Sequence, residues 1–143
     1  IEVLGNFSSF GMGGVSQPSQ LYALKLFDKK RIELARETIS RFYDEQRKKY
    51  EKGFLELGLE LFSGDGGFYH WCKLPETLTS EKLNQKLFQK GAAILEGTDC
   101  DMHRLGDTSH LKHFFRFSFG PLLPDSYDND IKILGEAINS QKK

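Results

Sequence analysis

The 143-residue sequence predicts an α+β fold: a small mixed or antiparallel sheet covered by helices, with a long helix near the N-terminus. Three observations carry this expectation. Apolar residues between positions 29 and 52 recur at helical spacing beside a charged face. Residues 55–61 alternate strictly between apolar and other positions, and a Gly-rich turn at 63–67 leads into a second apolar segment at 68–74, the pattern of a hairpin. Residues 114–120 form an apolar, strand-like run that contains one arginine, Arg116.

The chain starts Ile1-Glu2-Val3-Leu4, with no initiator Met, and reads as a piece cut from a longer polypeptide. Residues 5–20 are rich in Gly, Ser and Gln, the composition of a loop. Ser16 or Gln17 before Pro18 marks a helix start, because proline is tolerated in the first turn; a short helix then runs through Leu21, Ala23, Leu24 and Phe27. The long helix carries the stripe Ile32, Ala35, Ile39, Phe42, Tyr43 and Tyr50. Opposite charges four apart (Glu37/Arg41, Arg41/Glu45, Asp44/Lys48, Glu45/Lys49) give it a solvated face, and Gly53 marks its end. After the hairpin, Thr79 or Ser80 caps a helix with Leu83, Leu87 and Phe88 inward, stopped by Gly91. Residues 92–95 are a short buried strand, 96–112 a long polar loop, and 114–119 the Arg116 strand. Pro124-Asp125 opens a last helix with Tyr127, Ile131, Leu134 and Ile138 on one face.

The length is enough for one domain with a real core. Twenty basic residues balance twenty acidic ones, so bulk charge gives no reason to expect nucleic acid or an anionic membrane as partner. No stretch approaches the roughly 20 apolar residues of a membrane span, there is no signal peptide, and a cytoplasmic location is expected. Cys72 and Cys100 could pair, but reduced thiols are the default for two cysteines in such a chain.

Several candidate chemistries can be weighed. Cys100, Asp101, His103, Asp107, His110 and His113 crowd one loop without a zinc-finger or His-Glu-x-x-His spacing, so no metal site is expected. Gly11-Met12-Gly13-Gly14 lacks both the Rossmann spacing and a following Gly-Lys-Ser/Thr. Ser118 has no marked partner base for nucleophilic catalysis. Phe68, Tyr69 and Trp71 could line a pocket, with core packing the expected role. Arg116 is the most informative residue. Alternation places Phe115, Phe117 and Phe119 on one face and Arg116 on the other, beside Phe114 and Ser118. A guanidinium in so apolar a strand either lies at an edge, in water, or meets a planar carboxylate through two charge-assisted hydrogen bonds.

In order, these segments resemble the C-terminal end of a class I/II pyridoxal-phosphate aminotransferase of the aspartate-aminotransferase fold type. Gly66-Gly67-Phe68-Tyr69-His70-Trp71 is similar to the family's Gly-Gly-Phe-Tyr-x-Trp strand. Residues 83–97 are similar to its helix, glycine, short strand and Pro-Gly turn, and 114–119 to its x-Arg-x-Ser-Phe strand. Upstream, Gly14-Val15-Ser16-Gln17-Pro18-Ser19-Gln20 resembles the segment just before the family's linking helix. Glu96 stands where proline is usual, and no aromatic follows Gly97 closely; both positions adjoin the substrate entrance, so the resemblance implies no particular substrate class.

The resemblance implies that residues 1–28 are a remnant of the large cofactor-binding domain and 29–143 the small domain with its linking helix. It implies pyridoxal phosphate as cofactor of the intact enzyme, amino-acid and 2-oxo-acid substrates, and a homodimer in which Met12, Gly13 and Gly14 lie near the neighbouring subunit's pocket. Arg116 would bind the substrate α-carboxylate. The family's Schiff-base lysine would lie upstream, so the chain alone would hold no catalytic residue and be inactive. The alternatives are a non-catalytic α+β protein-interaction module, the aminotransferase-like domain of a transcriptional regulator, and a related lyase or synthase.

Overall fold

The computed structural model describes residues 2–11 and 16–141, the backbone alone for 7–11. It divides into two compact units, Ile1–Ser40 and Arg41–Lys143. The first unit holds helix α1 (Glu2–Gly11), helix α2 (Gln17–Leu24) and the start of helix α3 (Lys29–Glu56). The loop expected at 5–20 is therefore corrected over 5–11 and 17–20, while residues 12–15 lie outside the described residues. Val3, Phe7 and Phe10 keep helical spacing through a stretch whose Gly and Ser content suggests a loop. Helix α2 begins as expected, with Ser16 as N-cap and Pro18 in the first turn. Asp28 opens α3 by accepting from the Arg31 amide at 2.9 Å.

Helix α3 runs past Gly53, the expected stop, to Glu56. Gly53 serves close packing instead: a Cβ there would stand 2.7 Å from both Ile131 Cδ1 and Tyr127 Oη of the last helix. The helix ends at Gly58, which has φ +78°. There the Leu59 amide donates to the Phe54 carbonyl and the Gly58 amide to the Leu55 carbonyl, each at 3.0 Å. This is the Schellman arrangement, which needs a left-handed residue at that point. It absorbs half of the alternating segment, so the strand expected at 55–61 shrinks to β1 (Glu60–Leu61). Gly53→Ala is expected to destabilise the fold by up to about 2 kcal/mol. The overpacking cost of about 1–3 kcal/mol outweighs a helix-propensity gain of about 1 kcal/mol. A lower urea midpoint at unchanged m-value would show it.

The sheet has the order β1-β2-β4-β3, antiparallel at every pairing, with β2 (Tyr69–Lys73), β3 (Leu95–Glu96) and β4 (Phe114–Ser118). Helix α4 (Ser80–Phe88) is capped by Thr79, whose hydroxyl oxygen accepts from the Lys82 amide at 3.4 Å. Leu83 and Leu87 are buried, whereas Phe88, off their stripe, is 65% exposed rather than inward. Gly91 (φ +74°) closes α4 with a second Schellman turn, in which the Ala92 amide reaches the Leu87 carbonyl at 3.0 Å. The Ile94 amide donates to the Asn84 side chain at 3.1 Å. Residues 92–94 are thus tied to the helix, and β3 starts only at Leu95 rather than at 92. The loop at 96–112 contains three short 3₁₀ turns. A 3₁₀ turn at Pro124–Ser126 leads into α5 (Tyr127–Ser140).

One face of the sheet packs on the helices. Cys72 and His70 of β2, Phe115 of β4 and Phe119 beyond it are buried against Tyr50 and Phe54 of α3 and Leu134 and Ile138 of α5. Tyr50 ties α3 to α5 by donating from its hydroxyl to Asp130 at 2.7 Å. Its phenol is pushed well above its ordinary value, first by burial and then by that carboxylate. Of the charge pairs expected on α3, Asp44–Lys48 closes at 2.6 Å, and Arg47 bridges Asp44 and Glu51 at 3.1 and 3.3 Å.

Candidate substrate-binding site

Arg116 lies on an interior strand. Its Cα neighbours across the sheet are Trp71 on β2 and Leu95 on β3, which removes the edge-strand alternative. Strand alternation puts Tyr69, Trp71 and Lys73 of β2 together with Phe114, Arg116 and Ser118 of β4 on the face away from the helices. Here Trp71 stacks on Phe114, ring centroids 5.8 Å apart and planes 19° off parallel. Phe62, just after β1, lies 5.5 Å from the same Phe114 ring. The expectation of core packing for Phe68, Tyr69 and Trp71 is corrected. Tyr69 and Trp71 alternate out of step with the buried His70 and Cys72, and Phe68 is 52% exposed.

The guanidinium carbon of Arg116 sits 5.4 Å from the Tyr69 ring centroid, within cation–π range. Among the described residues no carboxylate pairs with it, and its buried Nε has no hydrogen-bond partner. Lys73, on the same face, is already held by Glu60 at 3.7 Å and Glu76 at 3.3 Å. Arg116 borders a cleft of about 390 Å³ with Phe62, Tyr69, Trp71, Cys100 and the glycine-rich turn. It also borders a larger cavity of about 620 Å³ between β3, β4, α4 and α5. Two of the charged groups of that cavity are engaged: Lys90 pairs with Glu136 at 2.6 Å, and Asp130 accepts from Tyr50 and Ser126. Tyr69 belongs to the smaller cleft alone, so the charged head of Arg116 faces that side.

His70 supports this face from behind. It is fully buried, with Nε2 3.0 Å from the Arg47 carbonyl and Nδ1 2.8 Å from the Ser63 hydroxyl. A carbonyl only accepts, so Nε2 carries the proton and Nδ1 accepts from Ser63. The same Ser63 oxygen accepts from the Trp71 amide at 3.2 Å. Burial holds the pKa of His70 below the ordinary 6.5, which keeps the ring neutral at neutral pH and leaves Nδ1 as the acceptor. An unfolded His70 takes up a proton more readily than the folded one. Its contribution is thus complete above pH 6.5 and falls as the pH drops through and below that value. The urea midpoint of the wild type is expected to drop between about pH 7.5 and pH 5.5, and His70→Gln to flatten that slope.

The crowded polar loop serves local structure. Asp101 accepts from the His103 and Leu105 amides at 2.9 and 3.3 Å, and the nearby Ser109 hydroxyl is the main reason its carboxyl stays below the usual range. His113 donates from Nδ1 to the Leu78 carbonyl at 2.7 Å. Among the described residues no three His, Cys, Asp or Glu side chains come together as a metal site. Cys72 and Cys100 are both free, one buried and one exposed. Met12, Gly13 and Gly14 lie outside the described residues. Phe62 escapes the sequence reading, because its place beside an expected turn hides its contact with β4. No helix among the described residues is long and apolar enough to cross a membrane.

The chain resembles solved aminotransferases. Against α-aminoadipate aminotransferase LysN of Thermus thermophilus, complexed with N-(5'-phosphopyridoxyl)-L-leucine, the TM-score is 0.78 at 17% identity over 99% of this chain and 36% of that one. Against valine-pyruvate aminotransferase AvtA of Salmonella typhimurium it is 0.67 at 19% identity, over 97% and 37%. Against kynurenine aminotransferase of Pyrococcus horikoshii, in complex with PMP, it is 0.62 at 26% identity, over 72% and 25%. The fold is that of part of an aminotransferase. The aminotransferase match agrees with the small-domain portion that the sequence resemblance implied. This chain spans between 25% and 37% of the length of these three aminotransferases. No protein-family profile matches it, and no curated protein does.

Proposed function

We propose that this chain is the C-terminal portion of a pyridoxal-phosphate-dependent aminotransferase that moves an amino group between an amino acid and a 2-oxo acid. The observation that carries the proposal is Arg116: an interior-strand guanidinium braced by Tyr69, facing a cleft, with a buried Nε lacking a partner among the described residues. Its fork suits the α-carboxylate of an amino acid. The residues present fit the substrate's carboxylate, and among the described residues that line the cleft there is no lysine that could attach a cofactor. When bound in the intact enzyme, pyridoxal phosphate supplies the electron sink. This chain's part is orientation. With the carboxylate fixed on Arg116, the Cα–H bond is held in one direction, toward a base contributed from elsewhere. Residues 1–28 then belong to the large domain and 29–143 to the small one, and the intact enzyme is a homodimer with residues 12–14 near the partner subunit's pocket.

The test is the intact mass of the natural polypeptide after borohydride treatment, with peptide mapping. A longer chain with a reduced pyridoxyl-lysine upstream of Ile1 is the expected result. A natural chain of this length without an adduct would overturn the enzymatic reading and leave a binding module on the same fold.

A further inference from the structure

The cleft at Arg116 has a lopsided lining. Part of the lining is aromatic: Phe62 and Tyr69, 52% and 43% exposed, with Trp71 beside Tyr69 on the same face of β2. Another part is the turn at 64–67, where Gly64, Gly66 and Gly67 present no side chains to the cleft, and a Cβ built on any of them meets nothing within 4 Å. Among the described lining residues Arg116 carries the one full charge at neutral pH. The nearest further cation on that face, Lys73, is bound to two glutamates and does not line the cleft.

From this arrangement we infer that the cleft selects carboxylates whose body is large, flat and uncharged, and therefore that the substrate amino acid has an aromatic side chain. The inference rests on the proposal that Arg116 is the carboxylate ligand and adds what the neighbouring wall recognises. A carboxylate on the guanidinium places the rest of the molecule beside the rings and the glycine turn. An aromatic body stacks on Phe62 and Trp71 and loses only apolar hydration. A second carboxylate would leave water for a wall with no second donor cation and with Asp65 in the neighbouring turn, and a distal ammonium would find no anion among the residues that line the cleft, since Asp65 is not one of them. The open glycine turn leaves the width that a ring needs and a short side chain does not use.

Trp71 is the single tryptophan of the chain, so its indole N–H gives one resolved amide-type signal in a ¹⁵N-correlated NMR spectrum. The 143-residue chain is titrated with propionate, 3-phenylpropionate, glutarate and 5-aminopentanoate, which share one carboxylate and differ in the body. The indole signal is expected to shift with 3-phenylpropionate at a Kd at least about tenfold lower than with the other three, the gain of burying one ring. Phe62→Ala, at an exposed position, should reduce that ratio toward one, and Phe62→Tyr should keep it. Equal affinities for propionate and 3-phenylpropionate, or tighter binding of glutarate or 5-aminopentanoate, overturn the aromatic selection while leaving the Arg116 reading intact. Undiminished 3-phenylpropionate binding in Arg116→Met, or no shift with any of the four, overturns the carboxylate reading and the selection with it.

Discussion

Arg116→Lys in the full-length polypeptide is expected to lower kcat/KM for the amino-acid substrate by about 10- to 100-fold, and Arg116→Met by more. A hydrogen bond to a charged group is worth about 1.5–3 kcal/mol. Lysine keeps the charge but offers a point donor in place of the two-pronged fork. It also gives up the planar group that lies over Tyr69. With Arg116 in the proposed role the carboxylate would be held before and during reaction alike, so most of the loss should fall in KM, with a smaller share in kcat from imperfect alignment. Steady-state kinetics of wild type and both variants, alongside their urea midpoints, measure this. Near-normal kcat/KM in Arg116→Met would remove Arg116 from the site.

Gly97→Ala is expected to cost about 3 kcal/mol or more of stability, the upper end for overpacking. Gly97 directly follows β3, and a Cβ there would collide with the carbonyl oxygens of Leu111 and Phe114. Both obstacles are backbone atoms, so no rotamer change relieves them. One of them belongs to the first residue of β4, the strand that holds Arg116. Displacing it moves the strand and its guanidinium together, and carboxylate binding should weaken in parallel with the fold. Gly64→Ala is the control: its Cβ meets nothing within 4 Å, and its stability should stay within about 0.5 kcal/mol of wild type. Denaturant unfolding of the two variants compares them directly. A Gly97→Ala chain as stable as Gly64→Ala would show that the 97–114 contact is slack.

Periodicity holds wherever a segment's own pattern and its partners agree. The Arg116 strand alternates as expected, with Phe115 and Phe119 inward at 0% and 1% exposure. Helices α4 and α5 start where their caps and Pro124 place them. The differences at the end of α3 lie at glycines. Gly53 has the look of a helix stop and is a contact point for α5; Gly58, inside an apparent strand, is the stop. A lone sequence does not distinguish a glycine that needs φ above zero from one that needs the absence of a Cβ. The first is a property of its own backbone and the second of a neighbour distant in the chain.

The sequence by itself determined the α+β class, the order of the elements from the long helix onward, the inward and outward faces of β4, and Arg116 as the residue out of keeping with its surroundings. These follow from side-chain chemistry and from spacings of two and 3.6 residues, which are local. Only the tertiary structure decided that Arg116 stands on an interior strand between Trp71 and Leu95, that Tyr69 braces it, and that Phe62 joins its cleft. Strand order and cross-strand register join residues tens of positions apart. They depend on how whole faces pack against one another, and no local pattern encodes that.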